Sequence, residues 1–544
     1  METVSIVLFL LLAVVVSGAV ARMLPFSVPT PLVQIALGGV IGLSTSHRVD
    51  LDPELFLFLF LPPLLFLDGW RIPKDELLKD ASTVVELALG LVLMTVIGMG
   101  FLIHWMIPAM PLAVAFALAA VVSPTDPIAV SAIAARVPIP KRMMHILEGE
   151  SLLNDASGLV CLRFAVAAAL TGTFSAGAAT LNFAWVAGAG LAIGVAVTLA
   201  VTRAKAFVTK RWGEDTGSQI LVSLLIPFGS YLLAEHVHAS GILAAVSAGV
   251  TMTFAEISRQ ALAVTRMRRN SVWDMIQFTL NGIIFVLLGE QMPAILAGAK
   301  QTVAATGHSD PWWLAVYILV IVAGLASLRF AWVWASLKFT ILRKARRGIG
   351  VQSPDWRLTA ATSVAGVRGA ITLAGVLTLP LTLNDGTPFP TRDLAIFLAA
   401  GVIVVSLLLA SVALPFLLKG LAMPPEPARQ AEEDGARISA AEAAIKAIER
   451  HQHALAEGRS DADIYADAGG EIMDLYRERI DGLGDRPTGE GAKKGEKLAR
   501  EFRLVGVRAE RAALLDLVRS RQISGSTARK LTRELDLAEA RYIG

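Results

Sequence analysis

Long apolar runs alternate with short polar connections over the first three quarters of the chain. Runs near or above the roughly 17 to 25 residues that cross a bilayer as helix fall at 4–20, 28–44, 53–69, 81–103, 111–133, 146–170, 181–202, 217–235, 238–255, 274–292, 311–337, 358–380 and 394–418. The pattern predicts about thirteen transmembrane helices. The very short connection "AEHVHASG" between the eighth and ninth runs leaves open a re-entrant segment there. The first run has no basic leader and opens a series of similar spans, so it reads as part of the protein and not as a signal peptide.

After Leu418 the pattern changes. "PPEPARQAEEDG" reads as a linker, and the segments beyond it have helical spacing with mixed charge. The expected organisation is a transmembrane domain over 1–420 and a small helical cytoplasmic tail over 421–544. That tail shows no phosphate loop, metal spacing or nucleotide fingerprint, so its partner is unknown, and His451 and His453 in "RHQHA" read as solvent-exposed polar residues.

Composition agrees with the pattern: 54% of the 544 residues are hydrophobic, 17% are charged and mean hydropathy is +0.60, against roughly 25% charged in soluble proteins. The basic residues are distributed unevenly. Connections near 22, 71–79, 136–142, 203–211, 259–269 and 338–357 hold 21 Lys and Arg, whereas the alternate set holds Arg48, Lys300 and Arg392. By the positive-inside rule this places the amino end outside and the carboxyl end in the cytoplasm of a cell whose cytoplasmic (inner) membrane holds the chain. The net charge of +3 comes largely from these loops and gives no argument for nucleic acid. Cys161 is the one cysteine, so no disulfide or cysteine metal site can be drawn.

Polar residues inside the spans carry the chemistry. In "EGESLLNDASG" Asn154 and Asp155 lie about 12–14 Å along the sixth span. Glu150 and Asn154 share one face of that helix, Ser151 and Asp155 the next. A charge in lipid costs several kcal/mol, so both faces are expected to meet protein or water; Glu148 reads as a headgroup-level acid. The fifth span reads "AAVVSPTDPIAVSAI", with Ser123, Thr125 and Asp126 around Pro124 and Pro127. Two prolines three apart remove donors and free carbonyls at mid-membrane, which is tolerated only inside protein or along a watery cavity. Carbonyls, the Thr125 hydroxyl and the Asp126 carboxylate suit a desolvated Na⁺ or K⁺.

A positive partner is expected in "LTAATSVAGVRGAITLAGVLTLP", where Arg368 sits between Gly366 and Gly369. Arg368 is assigned chiefly to Glu150, which leaves Asp155 uncompensated and titratable, while a pairing with Asp126 stays open. Asn281 and Asp68 are further candidates for the cavity wall, and Arg163 and Arg329 are expected to pair internally or snorkel; Glu86 and Glu290 get no assignment. A desolvated carboxylate that holds either a proton or a cation makes the two compete. With no nucleotide loop, the reading is secondary active exchange of a monovalent cation for H⁺, without cofactor and not enzymatic. A cation channel and a proton-coupled carrier of a small organic solute are the alternatives. The broken fifth span and the glycine-loosened twelfth hold matching places if spans one to six and eight to thirteen are inverted repeats, as in many secondary transporters.

Four segments, "SPTDPIAV", "EGESLLNDASGLV", "VAGVRGAITLA" and "SVWDMIQFTLNGIIFVLLGE", resemble the signature segments of the Na⁺/H⁺ exchangers of the monovalent cation:proton antiporter-1 family. The resemblance covers roughly 10–418. It implies an all-α polytopic fold with inverted repeats and crossed broken helices, Thr125 and Asp126 at the crossing, and Ser151 and Asp155 on the transported Na⁺, beside Thr125. It also implies a Glu150–Arg368 pair with Asn154 alongside, and a homodimer in the membrane whose core moves like an elevator. "Asn154-Asp155" resembles the electroneutral branch, one cation per proton. Na⁺ and Li⁺ are expected to be preferred over K⁺, partly from the resemblance and partly from the compact ligand set.

Overall fold

The computed structural model describes residues 2–24, 28–44, 53–71, 90–126, 130, 141–171, 176–257, 263–298, 303, 310–345, 356–419, 427–457, 462–484, 490–520 and 522–543. Pro127, Glu86 and the side chain of Glu148 lie outside the described residues.

Two compact units divide the chain, Met1–Leu421 and Ala422–Gly544. Among the described residues the regular structure of the first is helical apart from one isolated β-bridge between Thr382 and Pro388. Its helices are α1 (Glu2–Met23), α2 (Thr30–Ser44), α3 (Pro53–Arg71), α4 (Val92–Met106), α5 (Leu112–Val122), α6 (Lys141–Thr171), α7 (Ala176–Trp212), α8 (Thr216–His236), α9 (Gly241–Ile257), α10 (Ala263–Ala297), α11 (Trp312–Ala345), α12 (Trp356–Val364), α13 (Ala370–Leu377) and α14 (Arg392–Leu418). Five of the described helices are individually long and apolar enough to span a bilayer: α7, α8, α10, α11 and α14.

Exposed apolar side chains such as Phe9, Trp105, Trp185, Val412 and Phe416 cover the outer helix faces. In water such a surface would drive association; in a membrane it faces lipid, and the polar residues turn inward. The eighth and ninth runs are both complete helices, α8 with 21 residues and α9 with 17. The turn between them is tight because His238 adopts a left-handed φ of 55°, and Glu235 accepts the Gly241 N–H at 3.1 Å.

Helix neighbours sort into two groups. In one, α4, α5, α6, α11, α12 and α14 pack on one another; in the other, α1 and α2 pack on α10, and α3, α7 and α8 pack on α9. Backbones come into direct contact where α2 crosses α10. A Cβ on Gly38 would stand 2.0 Å from the Val286 carbonyl oxygen, and one on Gly289 would stand 2.0 Å from that of Ile35. Small residues let helices close to this distance without a hydrophobic driving force. The groups meet along α3, α6, α10 and α13.

The second unit holds α15 (Pro427–Ala456), α16 (Ala462–Gly484), α17 (Glu490–Arg519) and α18 (Gly525–Ile543). α15 packs on α16 and α17 on α18, the latter pair joined by Arg511 to Asp536 at 2.6 Å and to Glu539 at 2.5 Å.

Candidate functional site

Among the described residues of the first unit, α5 and α12 each give way to non-helical chain, and these two stretches touch. α5 stops at Val122, just before Pro124, whose ring cannot donate the next helical hydrogen bond. The chain then runs through Ser123–Asp126 without helix. α12 stops at Val364, and Ala365–Gly369 separate it from α13. The Asp126 N–H donates to the Val367 carbonyl at 2.7 Å, so one gap is stitched to the other.

Arg368 occupies the junction. Its Nε donates to the Val122 carbonyl at 2.7 Å and its Nη1 to the Gly366 carbonyl, while its backbone N–H donates to Ser406 Oγ at 3.2 Å. The last carbonyls of a helix have no intrahelical partner and carry partial negative charge. One buried guanidinium thus ties the cut end of α5 to the gap between α12 and α13, and the Arg368 hydrogen bonds include no carboxylate among the described residues. Gly369 is required beside it, because a Cβ there would stand 1.7 Å from Asp126 Oδ2.

The Glu150 assignment is corrected by the structure. Its carboxylate accepts two hydrogen bonds from Arg329 on α11, at 2.5 and 2.7 Å, with both side chains almost fully buried. Arg329 also donates from Nε to the Thr362 carbonyl at 3.0 Å. The fork geometry of a guanidinium matches a carboxylate in this way. Depth along the helices suits either arginine; the direction in which each side chain points decides between them, and Arg368 is already committed to carbonyls. Arg329 had a signal in the sequence, as the single charged residue of the apolar run 311–337. Arg163 pairs with Glu235 of α8 at 2.7 Å.

α6 positions the oxygen ligands. Ser151 Oγ donates to the Thr125 carbonyl at 2.8 Å, and Asn154 Nδ2 donates to Thr125 Oγ1 at 2.9 Å. Both bonds fix the interrupted stretch of α5 against α6, one turn from Asp155. Close approach is possible because Gly158 faces Pro124; a Cβ at Gly158 would fall 2.5 Å from the proline ring.

A cavity of about 20 Å³ opens at this point, which is room for roughly one water-sized occupant. Its polar lining consists of Asp68, Thr125, Asp126, Ser151, Asp155 and Asn281, completed by Gly369–Thr372 at the start of α13. Asp155 and Asn281 are buried, Asp68 and Asp126 partly so. Carboxylates from three helices or helix ends, Asp68, Asp126 and Asp155, converge with the hydroxyl-bearing residues Thr125, Ser151 and Thr372. Ser123, Glu150, Asn154 and Arg368 stand behind this lining and do not form it. Such a set can hold one small cation after stripping its water, or one proton.

Known proteins match both chain and fold. Residues 8–420 fit the family model described as "Sodium/hydrogen exchanger, transmembrane". The chain is similar to the Uncharacterized Na(+)/H(+) exchanger YjcE of Escherichia coli (strain K12), 44% identical over 548 residues and covering 100% of this chain and 99% of that protein. It is also similar to the sodium, potassium, lithium and rubidium/H(+) antiporter of Bacillus subtilis (strain 168), 38% identical over 548 residues, with 100% of this chain and 78% of that protein covered. The fold resembles that of the sodium proton antiporter MjNhaP1 from Methanocaldococcus jannaschii, with a TM-score of 0.58 at 20% identity over 77% of this chain and 99% of that one. On these grounds the chain belongs to the transmembrane sodium/hydrogen exchangers of the cation/proton antiporter type, multi-pass proteins that exchange Na⁺ or a related cation for H⁺ by secondary active transport.

Proposed function

We propose that the cavity at the two interrupted helices is the exchange site, where H⁺ and one monovalent cation compete for Asp155, with Asp126, Thr125 and Ser151 completing the oxygen shell. The observation that carries this reading is the convergence of Asp126, Asp155, Thr125 and Ser151 on one small cavity beside the non-helical stretches that follow α5 and α12. Alternating access follows if the protein changes face only when the site is loaded. Glu150 with Arg329, Asn154 and Arg368 hold the shell in place.

The reading includes thirteen spans, with α12 and α13 as two halves of one and α5 as the first half of another. It includes inverted repeats with these two broken helices crossing, an outside amino end and a cytoplasmic tail. It includes a homodimer, as the family resemblance implies; the mass of the detergent-solubilised protein tests that directly. One cation moves per proton. Na⁺ and Li⁺ are favoured over K⁺ on the family resemblance and the compact set of oxygen ligands. The name of the Bacillus subtilis relative, which includes potassium and rubidium, favours a second reading with a broad panel of cations.

Reconstituted protein assayed with Li⁺, Na⁺, K⁺ and Rb⁺ separates the two. K⁺ activity equal to that with Na⁺ selects the broad reading. Asp155→Asn keeps the volume and removes the titratable group, so exchange is expected to vanish while the melting profile in detergent stays close to wild type. Wild-type proton flux in that variant removes Asp155 from the site.

A further inference from the structure

The face shared by α3 and α10 carries polar residues beyond the cavity that the exchange chemistry leaves unused. On α10, Asp274, Gln277 and Asn281 follow one another at i, i+3 and i+7, and therefore lie on one face. On α3, Leu64, Asp68 and Arg71 do the same. The two faces meet: Arg71 Nη1 donates to Gln277 Oε1 at 2.7 Å and Arg71 Nη2 pairs with Asp274. At the inner end, Asp68 and Asn281 both line the cavity.

Exposure falls along this row. The side chains of Asp274 and Arg71 are 63% and 41% exposed, Gln277 is half-buried and Asn281 is 9% exposed. From Asp274 to Asn281 the row covers about 10 Å of helix. Polar groups on a helix in hydrocarbon are costly unless they face protein or water, and here they run in one line from the exposed end of the face to the cavity.

We infer that this row is the access lane by which the monovalent cation reaches the cavity from one side of the membrane, with Arg71 and Asp274 setting the charge at its mouth. The inference rests on the reading of the cavity as the exchange site. An arginine across the path of a cation repels it. Asp274 cancels that charge, and its carboxylate offers the cation a first station, after which the Asn281 amide oxygen and the Asp68 carboxylate lead inward, while Gln277 Oε1 holds the Arg71 guanidinium to the side. Asp274 is thus a specificity-determining residue for entry and Arg71 the charge that makes it necessary. Three further arginines lie on α10: Arg266 and Arg268 are exposed towards its start, and Arg269 is buried over the Trp70 ring at 4.9 Å.

The test is a charge-suppression series in reconstituted vesicles, with apparent KM for Na⁺ and maximal rate measured from each face at low ionic strength. Asp274→Asn is expected to raise KM about three- to tenfold from one face only, with the maximal rate little changed, as expected for a single unmatched charge near an aqueous mouth. Arg71→Gln lowers KM from the same face, and Asp274→Asn combined with Arg71→Gln returns it towards wild type. A purely structural tie between α3 and α10 predicts the opposite order: each single variant is impaired and the double variant is no better, an outcome that overturns the lane. An unchanged KM in Asp274→Asn, or an equal change from both faces, also overturns it. Asp155→Asn run alongside separates the two levels, since exchange retained in that variant defeats the site reading itself, whereas an inactive Asp155→Asn with a silent Asp274→Asn defeats the lane alone.

Discussion

Glu150 and Arg329 are 1% and 3% exposed and make a bidentate pair. Removing one partner of such a pair leaves an uncompensated buried charge and costs about 3–5 kcal/mol. Glu150→Gln and Arg329→Gln are each expected to lower thermal stability in detergent strongly, and the double variant by much less than the sum of the two. Additive losses in that double-mutant cycle would contradict the pairing. Gly369 makes a second prediction at this scale. Its missing Cβ is the space taken by the Asp126 carboxylate, so Gly369→Ala must push that carboxylate or the backbone aside. Displacements near 1 Å in a preorganised site reduce rates on the order of a hundredfold, whereas Gly375→Ala, whose Cβ would find its nearest neighbours at 3.4 Å, is expected to exchange at close to the normal rate. Flux at saturating Na⁺ distinguishes the two variants.

Single elements show where sequence was informative and where it was silent. The gap after α5 is visible in Pro124, and that after α12 in the Gly366–Gly369 pair, because proline and glycine act through local backbone chemistry. The polar faces of α6 were equally legible, since i and i+4 positions share a side whatever the tertiary fold. What the sequence withheld was azimuth between helices. Arg329 and Arg368 both lie deep in apolar runs, and only packing turns Arg329 towards Glu150 and Arg368 towards carbonyl ends. Asp215 shows a local rule at work: it caps α8, accepting the Ser218 N–H at 2.8 Å and the Ser218 hydroxyl at 2.5 Å. Those two bonds, the hydroxyl's first, pull its carboxyl below the ordinary range. With the folded value depressed, the cap's contribution is complete above the unfolded value of about 3.9 and disappears as pH falls through the folded one. Amide exchange at Ser218 and its neighbours is therefore expected to accelerate on acidification below about pH 4, and Asp215→Asn is expected to remove that pH step.

For the whole molecule, the arrangement of helices into two groups matters more than any one bond. The cavity lies where α3 and α10 of one group meet α6, α13 and the end of α5, so displacement of one group along the other would carry Asp126 and Asp155 past Asp68 and Asn281. Because one carboxylate serves both cargoes in the proposed cycle, the apparent affinity for Na⁺ is expected to weaken steadily as pH falls, while the maximal rate at saturating Na⁺ holds. Initial rates over a matrix of Na⁺ concentration and pH test this; a maximal rate that falls at a fixed KM would mean that proton and cation bind at separate sites. The channel and organic-solute alternatives weighed from sequence fall away with membership of the exchanger family.

One consequence comes from placing Asp68 on α3, apart from the other buried charges around the cavity. Among the described residues, the buried and partly buried charges around the cavity on α6, α11, the end of α5 and the α12–α13 junction are Asp126, Glu150, Asp155, Arg329 and Arg368. Three carboxylates against two guanidiniums leave a single negative charge, which one proton or one Na⁺ cancels. Under the proposed one-for-one cycle the loaded group therefore crosses neutral in both directions, and the roughly 2.3 kcal/mol that 100 mV supplies to each elementary charge is out of its reach. Only the pH difference remains, worth about 1.4 kcal/mol per unit, so each unit can sustain at most a tenfold cation ratio. The exchanger then exports Na⁺ against a gradient only into surroundings more acidic than the cytoplasm. In alkaline surroundings of equal Na⁺ it runs the other way, taking in cation and releasing protons.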